Sequence, residues 1–383
     1  MSRSQTLDAP LAWARTRTSA RPLARAEVLV SVQALRAAAT LAVAGWHLVW
    51  VARAFPGETL SLPAPLALGY AGVDLFFVIS GFIICHITAG RPFAARRFAA
   101  RRFVRIVPLY ALFTGLAVLA VFVNPAWDGK GELSFGYVLH SLLALPMNGI
   151  PYLDVGWSLE HELVFYAIAG GAFALGARRA LPWLLLALFA GGVALHVVAP
   201  AATGARPVWD WHLLSPYHFQ FAVGVCVFRQ RERLARLGSR APLLLGIALA
   251  LATSWWLASH FAGQGGHPPT QPVGWSGLVR VVGYGLAGGL LLVAALEAER
   301  RGALSLRGRL GRCVLALGDA SYVLYLSHYF VYSILAKLYP LLGVPGWLAW
   351  PALLAALFAA CAVAWAIHVA LERPLLRFAR AHT

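Results

Sequence analysis

Several ionisable side chains stand inside apolar stretches of this sequence, and their spacing is regular. Arg36 and His47 are eleven positions apart in LRAAATLAVAGWH. On an α-helix that separation is about 20° of rotation and about 16 Å of rise, so both face one direction, three turns apart. Asp74, Glu162, Arg280 and His328 likewise fall within apolar runs. Histidine has an ordinary pKa near neutrality and suits proton transfer at a hydroxyl. A neighbouring carboxylate orients the imidazole and balances the imidazolium. Arg102 and Arg105, one helical turn apart in RRFVRIVPLY, lie on one face and can clamp a phosphate. Simple basic anchoring at a membrane surface accounts for that pair equally well.

The elements that must position these groups are membrane helices. The 383 residues are 60% hydrophobic and only 12% charged, with mean hydropathy +0.69. Soluble domains carry about 25% charged residues, so the bilayer is the expected solvent. Apolar runs fall at 32–52, 68–89, 103–123, 156–176, 181–199, 211–228, 241–260, 275–296, 313–336 and 347–371. Each is close to the ~20 residues a spanning helix needs. The expectation is an all-α polytopic bundle of about ten transmembrane helices. Residues 1–31 are expected to form an N-terminal tail without a cleavable signal, 32–372 one integral domain, and 373–383 a C-terminal tail.

Charge sets the orientation. With both termini cytoplasmic, the inside segments collect Arg91 to Arg105, Arg178 and Arg179, Arg229 to Arg240, Arg300 to Arg312, and Arg373, Arg377 and Arg380. Beyond residue 150 the outside loops hold only Arg206 and Lys337. An eleventh span at 135–150 would invert this pattern and break the positive-inside rule, so that segment is expected to be interfacial or re-entrant. The net charge of +17 then reflects topology, and no nucleic-acid partner is expected. In this frame His47, Asp74, Glu162, Arg280 and His328 all fall about 8–9 Å below the outer surface. Five ionisable groups from five helices at one depth point to a polar cavity in the outer half of the bundle. A buried structural ion pair between Asp74 and Arg280 is the plainer alternative for those two.

Six segments resemble the acyltransferase-3 family of membrane O-acyltransferases: LRAAATLAVAGWH, GVDLFFVISGFIIC, RRFVRIVPLY, YLDVGWSLEHELVFY, GDASYVLYLSHYFV and LERPLLRF, in order from about residue 30 to 378. The resemblance implies transfer of an acyl group, expected to be acetyl, from cytoplasmic acyl-CoA to a hydroxyl of a surface glycan or another extracytoplasmic acceptor. It implies the stand-alone form, without an appended hydrolase-like domain, in a bacterial inner membrane. In such a reaction Arg102, Arg105 and Arg36 would hold the acyl-CoA. His47 would act as general base, with Glu162 or Asp74 orienting it. Trp157, Arg280 and His328 would line the acceptor side. A covalent acyl-histidine on His47 is the alternative chemistry. No metal is expected.

A transporter is the competing class, because a polar cavity in a helical bundle also carries substrates across membranes. Against it stand the absence of an internal repeat and the R-x-x-R pair, which a sugar permease does not need. Other polar residues take plain readings. The four cysteines are expected as small core residues. His86 and His368 sit near cytoplasmic helix ends, and His260 and His267 near an outer loop. Ser80 is expected to bond within its own helix, and Gly285 and Gly289 to serve helix packing.

Overall fold

The computed structural model describes residues 29–55, 68–90, 92–124, 134–147, 149–198, 211–260 and 272–382. Residues 1–28 of the expected tail, with Arg91, Lys130, Arg206 and His267, lie outside them. The described residues form helices α1 (Val30–Ala52), α2 (Gly72–Thr88), α3 (Ala95–Val123), α4 (Phe135–Leu142), α5 (Trp157–Ala174), α6 (Leu181–Val193), α7 (His218–Leu234), α8 (Arg240–His260), α9 (Gly274–Arg300), α10 (Gly308–Asp319), α11 (Ser321–Leu341), α12 (Ala349–Ile367) and α13 (Arg373–His382).

A helix stands at every apolar run read from the sequence, but not always as one straight span. By length and hydropathy seven of the helices can cross a membrane, or eight if a bent pair counts as one span. That pair is α10 and α11, which meet at 81°. The single span expected at 313–336 is therefore two helices joined at Ala320. Contacts with α1 hold the bend from both sides: Gln33 donates to Asp319, and Arg36 to Ser321 Oγ at 2.7 Å. The run expected at 211–228 becomes α7, which begins only at His218 after turns around Pro216. Helix α4 has eight residues, about 12 Å of rise, too short for a ~30 Å core. The expected C-terminal tail is helical: a π-turn at His368–Glu372 leads directly into α13.

Packing follows from small residues at the crossings. A Cβ on Gly81 of α2 would strike the carbonyl oxygen of Phe221 on α7, and a Cβ on Gly224 of α7 would strike that of Val78 on α2. The two backbones touch reciprocally, and only glycine at both positions allows it. Gly285 and Gly289 of α9 instead lie against the side chains of Phe219, Gln220 and Val223 of α7. The start of α1 is closed from another helix. The Glu299 carboxylate at the end of α9 accepts from the backbone N–H of Val30 and of Ser31, each at 2.9 Å. Those donors have no partner within their own helix, and the carboxylate also complements the helix dipole. Helix α1 in turn contacts α2, α9, α10, α11 and α12, which makes it the element around which the site is assembled.

Candidate active site

A cavity of about 550 Å³ opens among α1, α2, α3, α5 and α11, with α13 at its rim. Along α2 its lining runs from Ile87 to Val73, which is about 21 Å of helix. Arg36, Arg102 and Arg105 all line it, so three arginines chosen from two separate motifs share one cavity. Arg36 is held by Gln33 Oε1 at 3.2 Å and Ser321 Oγ at 2.7 Å. Arg102 lies over the ring of Tyr166, 5.6 Å from its centroid. Its Nε is buried without a hydrogen-bond partner among the described residues, which leaves a strong donor unused beside the cavity. Glu162 faces the same space and accepts from Ser80 Oγ at 2.5 Å and from the Tyr166 hydroxyl.

His47 stands beyond the deep end of this cavity. Val73 lines the deep end, and the neighbouring Gly72 packs against the side chain of Val43. His47 is four residues past Val43, about 6 Å along the axis. Its Nδ1 is 2.9 Å from Val43 O and 3.2 Å from Nε2 of His328. His328 Nδ1 is 2.8 Å from Leu324 O. A carbonyl can only accept, so His328 carries its proton on Nδ1 and presents a lone pair at Nε2. Both neighbours of His47 Nδ1 are then acceptors, which puts the His47 proton on Nδ1 and a free lone pair on its Nε2. The pair is thus set as a base without a carboxylate.

Tyr325 forms the wall between cavity and histidines. Its ring centroid is 6.3 Å from that of Phe76, a cavity residue, and 6.3 Å from that of His328. Its hydroxyl is fixed by Val155 O at 2.9 Å and Ser158 Oγ at 2.8 Å. The cavity and the histidine pair are therefore neighbours separated by one aromatic layer.

The carboxylates fall elsewhere than expected. Asp74 is fully buried and ion-paired to Arg280 at 3.1 Å, and it also accepts from Gln220 Nε2 at 2.7 Å. Arg280 lies over the rings of Tyr70 and Tyr217. The plainer reading of this pair, a buried structural contact, is the one its geometry supports. Glu162 bonds Ser80, six residues and about 9 Å along α2 from Asp74 toward the arginine end, so it does not share the depth of His47. Among the described residues neither carboxylate reaches the His47 imidazole, and the expected dyad does not form. Trp157 packs in an aromatic group with Phe77 and Tyr217, at centroid distances of 6.2 and 5.5 Å. His328 serves His47 directly.

Several polar residues take places the sequence reading did not give them. Ser80 bonds Glu162 and not its own helix. His86 and His368 both line the cavity, and His368 Nδ1 pairs with Glu372 Oε2 at 2.5 Å across the π-turn. Glu160, in the same E-H-E triplet as Glu162, is fully buried and accepts from His212 Nε2 at 2.8 Å. The triplet itself was the available signal, since three polar residues together inside a span need partners.

A family profile described as an acyltransferase domain matches residues 29–369, nearly the whole bundle. The chain belongs to the acyltransferase-3 family. Among curated relatives of this acyltransferase, the exopolysaccharide production protein ExoZ of Rhizobium meliloti (strain 1021) is 33% identical, and the match covers 82% of this chain and 92% of the relative. Protein 2 in picA locus of Rhizobium radiobacter is 33% identical over 158 residues, 35% of this chain and 80% of that one. No solved structure matches. Family membership decides for acyl transfer over the transport alternative, and with the run of apolar helices it makes the protein a multi-pass membrane acyltransferase.

Proposed function

We propose that this acyltransferase moves an acetyl group from cytoplasmic acetyl-CoA to a hydroxyl of a surface polysaccharide, from a bacterial inner membrane with both chain termini on the cytoplasmic side. One observation carries the proposal: an arginine-lined cavity that reaches within about one helical turn of a histidine pair poised as a base. The arginines suit the phosphates of the donor. The size of the cavity suits the donor's long arm. The name of the ExoZ relative, an exopolysaccharide production protein, supports a polysaccharide acceptor.

The chemistry is direct transfer. His47 Nε2 takes the proton of the acceptor hydroxyl as its oxygen bonds to the thioester carbonyl carbon. The C–S bond then breaks, and the departing thiolate receives the proton held by His47. His328 accepts the Nδ1–H of His47 and steadies the imidazolium formed midway. Transfer requires the Tyr325 ring to move aside so that the thioester meets His47, and until then Tyr325 and the Phe76 ring keep water from the thioester.

The test is release of free thiol from acetyl-CoA by the purified protein, with isolated exopolysaccharide as acceptor. Acceptor-dependent release with incorporation of acetyl ester is expected, together with its loss in His47→Ala. Counterflow of unmodified sugar without thiol release, or normal transfer by His47→Ala, would defeat the proposal.

A further inference from the structure

Helix α13 brings a second set of arginines to the cavity. Arg373, Leu376, Arg377 and Arg380 follow the spacing i, i+3, i+4, i+7, which is one helix face, and all four line the cavity rim. Helix α13 packs on α3, the helix that bears Arg102 and Arg105. The cavity lining therefore holds six arginines against three acids, Glu162, Asp319 and Glu372. Each acid already has a partner: Ser80 and Tyr166 for Glu162, Gln33 for Asp319, and His368 for Glu372. Among the described residues Arg373, Arg377 and Arg380 form no ion pair with any of them. Uncompensated positive charge concentrated at a cavity mouth raises the local concentration of an anion and holds it there.

We infer that the α13 arginines are a phosphate-monoester subsite that reads the 3′-phosphate of the donor nucleotide, while Arg102 and Arg105 take its diphosphate. This rests on the donor assigned under the proposed function. The polarity follows from the donor's own chemistry. Its thioester must lead toward His47, so the diphosphate trails at mid-cavity and the ribose monoester comes last, at the rim. A monoester carries close to two negative charges near neutral pH, and planar guanidinium groups match its oxygens in pairs. The subsite then selects a nucleotide thioester over one carried on a phosphopantetheine arm without the nucleotide. The same guanidinium chemistry would also suit the phosphate of a lipid headgroup.

The experiment measures binding of CoA and of 3′-dephospho-CoA to the full chain in detergent, for the wild type and for Arg377→Gln with Arg380→Gln. The wild type is expected to prefer CoA by about tenfold or more, the scale of one lost charge-assisted contact. The double variant is expected to lose that preference while binding dephospho-CoA as the wild type does, which also shows that it is folded. Should it bind neither, the charge-keeping pair Arg377→Lys with Arg380→Lys must restore preference for CoA, and failure there overturns the subsite. A wild type that binds both forms equally, or a double variant that keeps the full preference, overturns it as well. So does a double variant whose only loss is retention by phosphatidylglycerol vesicles, because the arginines then serve lipid. A wild type that binds no form of CoA refutes the donor assignment itself, a different result from any of these.

Discussion

His328 Nε2 lies 3.2 Å from His47 Nδ1, and each ring also meets the carbonyl four residues back on its own helix. The contact joins α1 to α11 at the point where chemistry is proposed. Under the proposed function that contact makes His328 the residue that orients the base.

Replacing His328 with alanine should therefore lower kcat by about 10²–10³, within the range for general acid–base groups, and leave the KM for acetyl-CoA unchanged. Steady-state kinetics separate the two parameters. A raised acceptor KM with unchanged kcat would return His328 to the acceptor-binding role expected from the sequence.

The proposed function gives the arginines of α3 the donor end of the cavity. Arg102→Gln with Arg105→Gln should raise the KM for acetyl-CoA at least tenfold, with kcat at saturation and acceptor KM little changed, because the contact is equally strong in ground and transition states. Initial rates with either substrate varied will show this. Unaltered donor dependence would leave the two residues as membrane anchors.

The Asp74–Arg280 pair is expected to matter to stability first. Asp74→Ala leaves a buried guanidinium without its counterion and should destabilise the protein by about 3–5 kcal/mol. Asp74→Leu with Arg280→Met removes both charges and should recover most of that loss. Thermal unfolding in detergent reads the difference. If the double variant is stable yet inactive, Asp74 belongs to the chemistry after all.

Tyr325 stands between the cavity and the histidine pair, and under the proposed function Tyr325→Ala should open that wall. Thiol release from acetyl-CoA without acceptor is expected to rise severalfold, as water reaches the thioester. Tyr325→Phe keeps the ring but loses the bonds to Val155 and Ser158, so it should show a smaller rise. No rise in either variant would place the water barrier elsewhere.

The helices were legible because a bilayer imposes long apolar runs, and Arg36 with Arg102 and Arg105 were legible because charge in such runs stands out. Depth along one helix was also sound for His47 and His328, which do meet. The partner of each carboxylate was not legible. Asp74 and Glu162 sit on different helices, whose relative rotation hydropathy does not give, and α2 is fixed against α7 by a reciprocal glycine crossing. Nor does hydropathy reveal a bend. The 81° turn at Ala320 depends on what Gln33 and Arg36 offer to either side of it. The arginines of α13 read as a tail because the apolar run stops at Leu371, although the helix itself continues through a π-turn.

The atoms that fix the protons of both histidines are the carbonyl oxygens of Val43 and Leu324, which are main chain. Any residue placed at 43 or 324 brings the same oxygen, so the tautomers are insulated from sequence drift at those sites. What can disturb them is a kink. Only a local unwinding of α1 or α11 would release the rings, and helix continuity at these two points becomes a condition of reactivity in its own right.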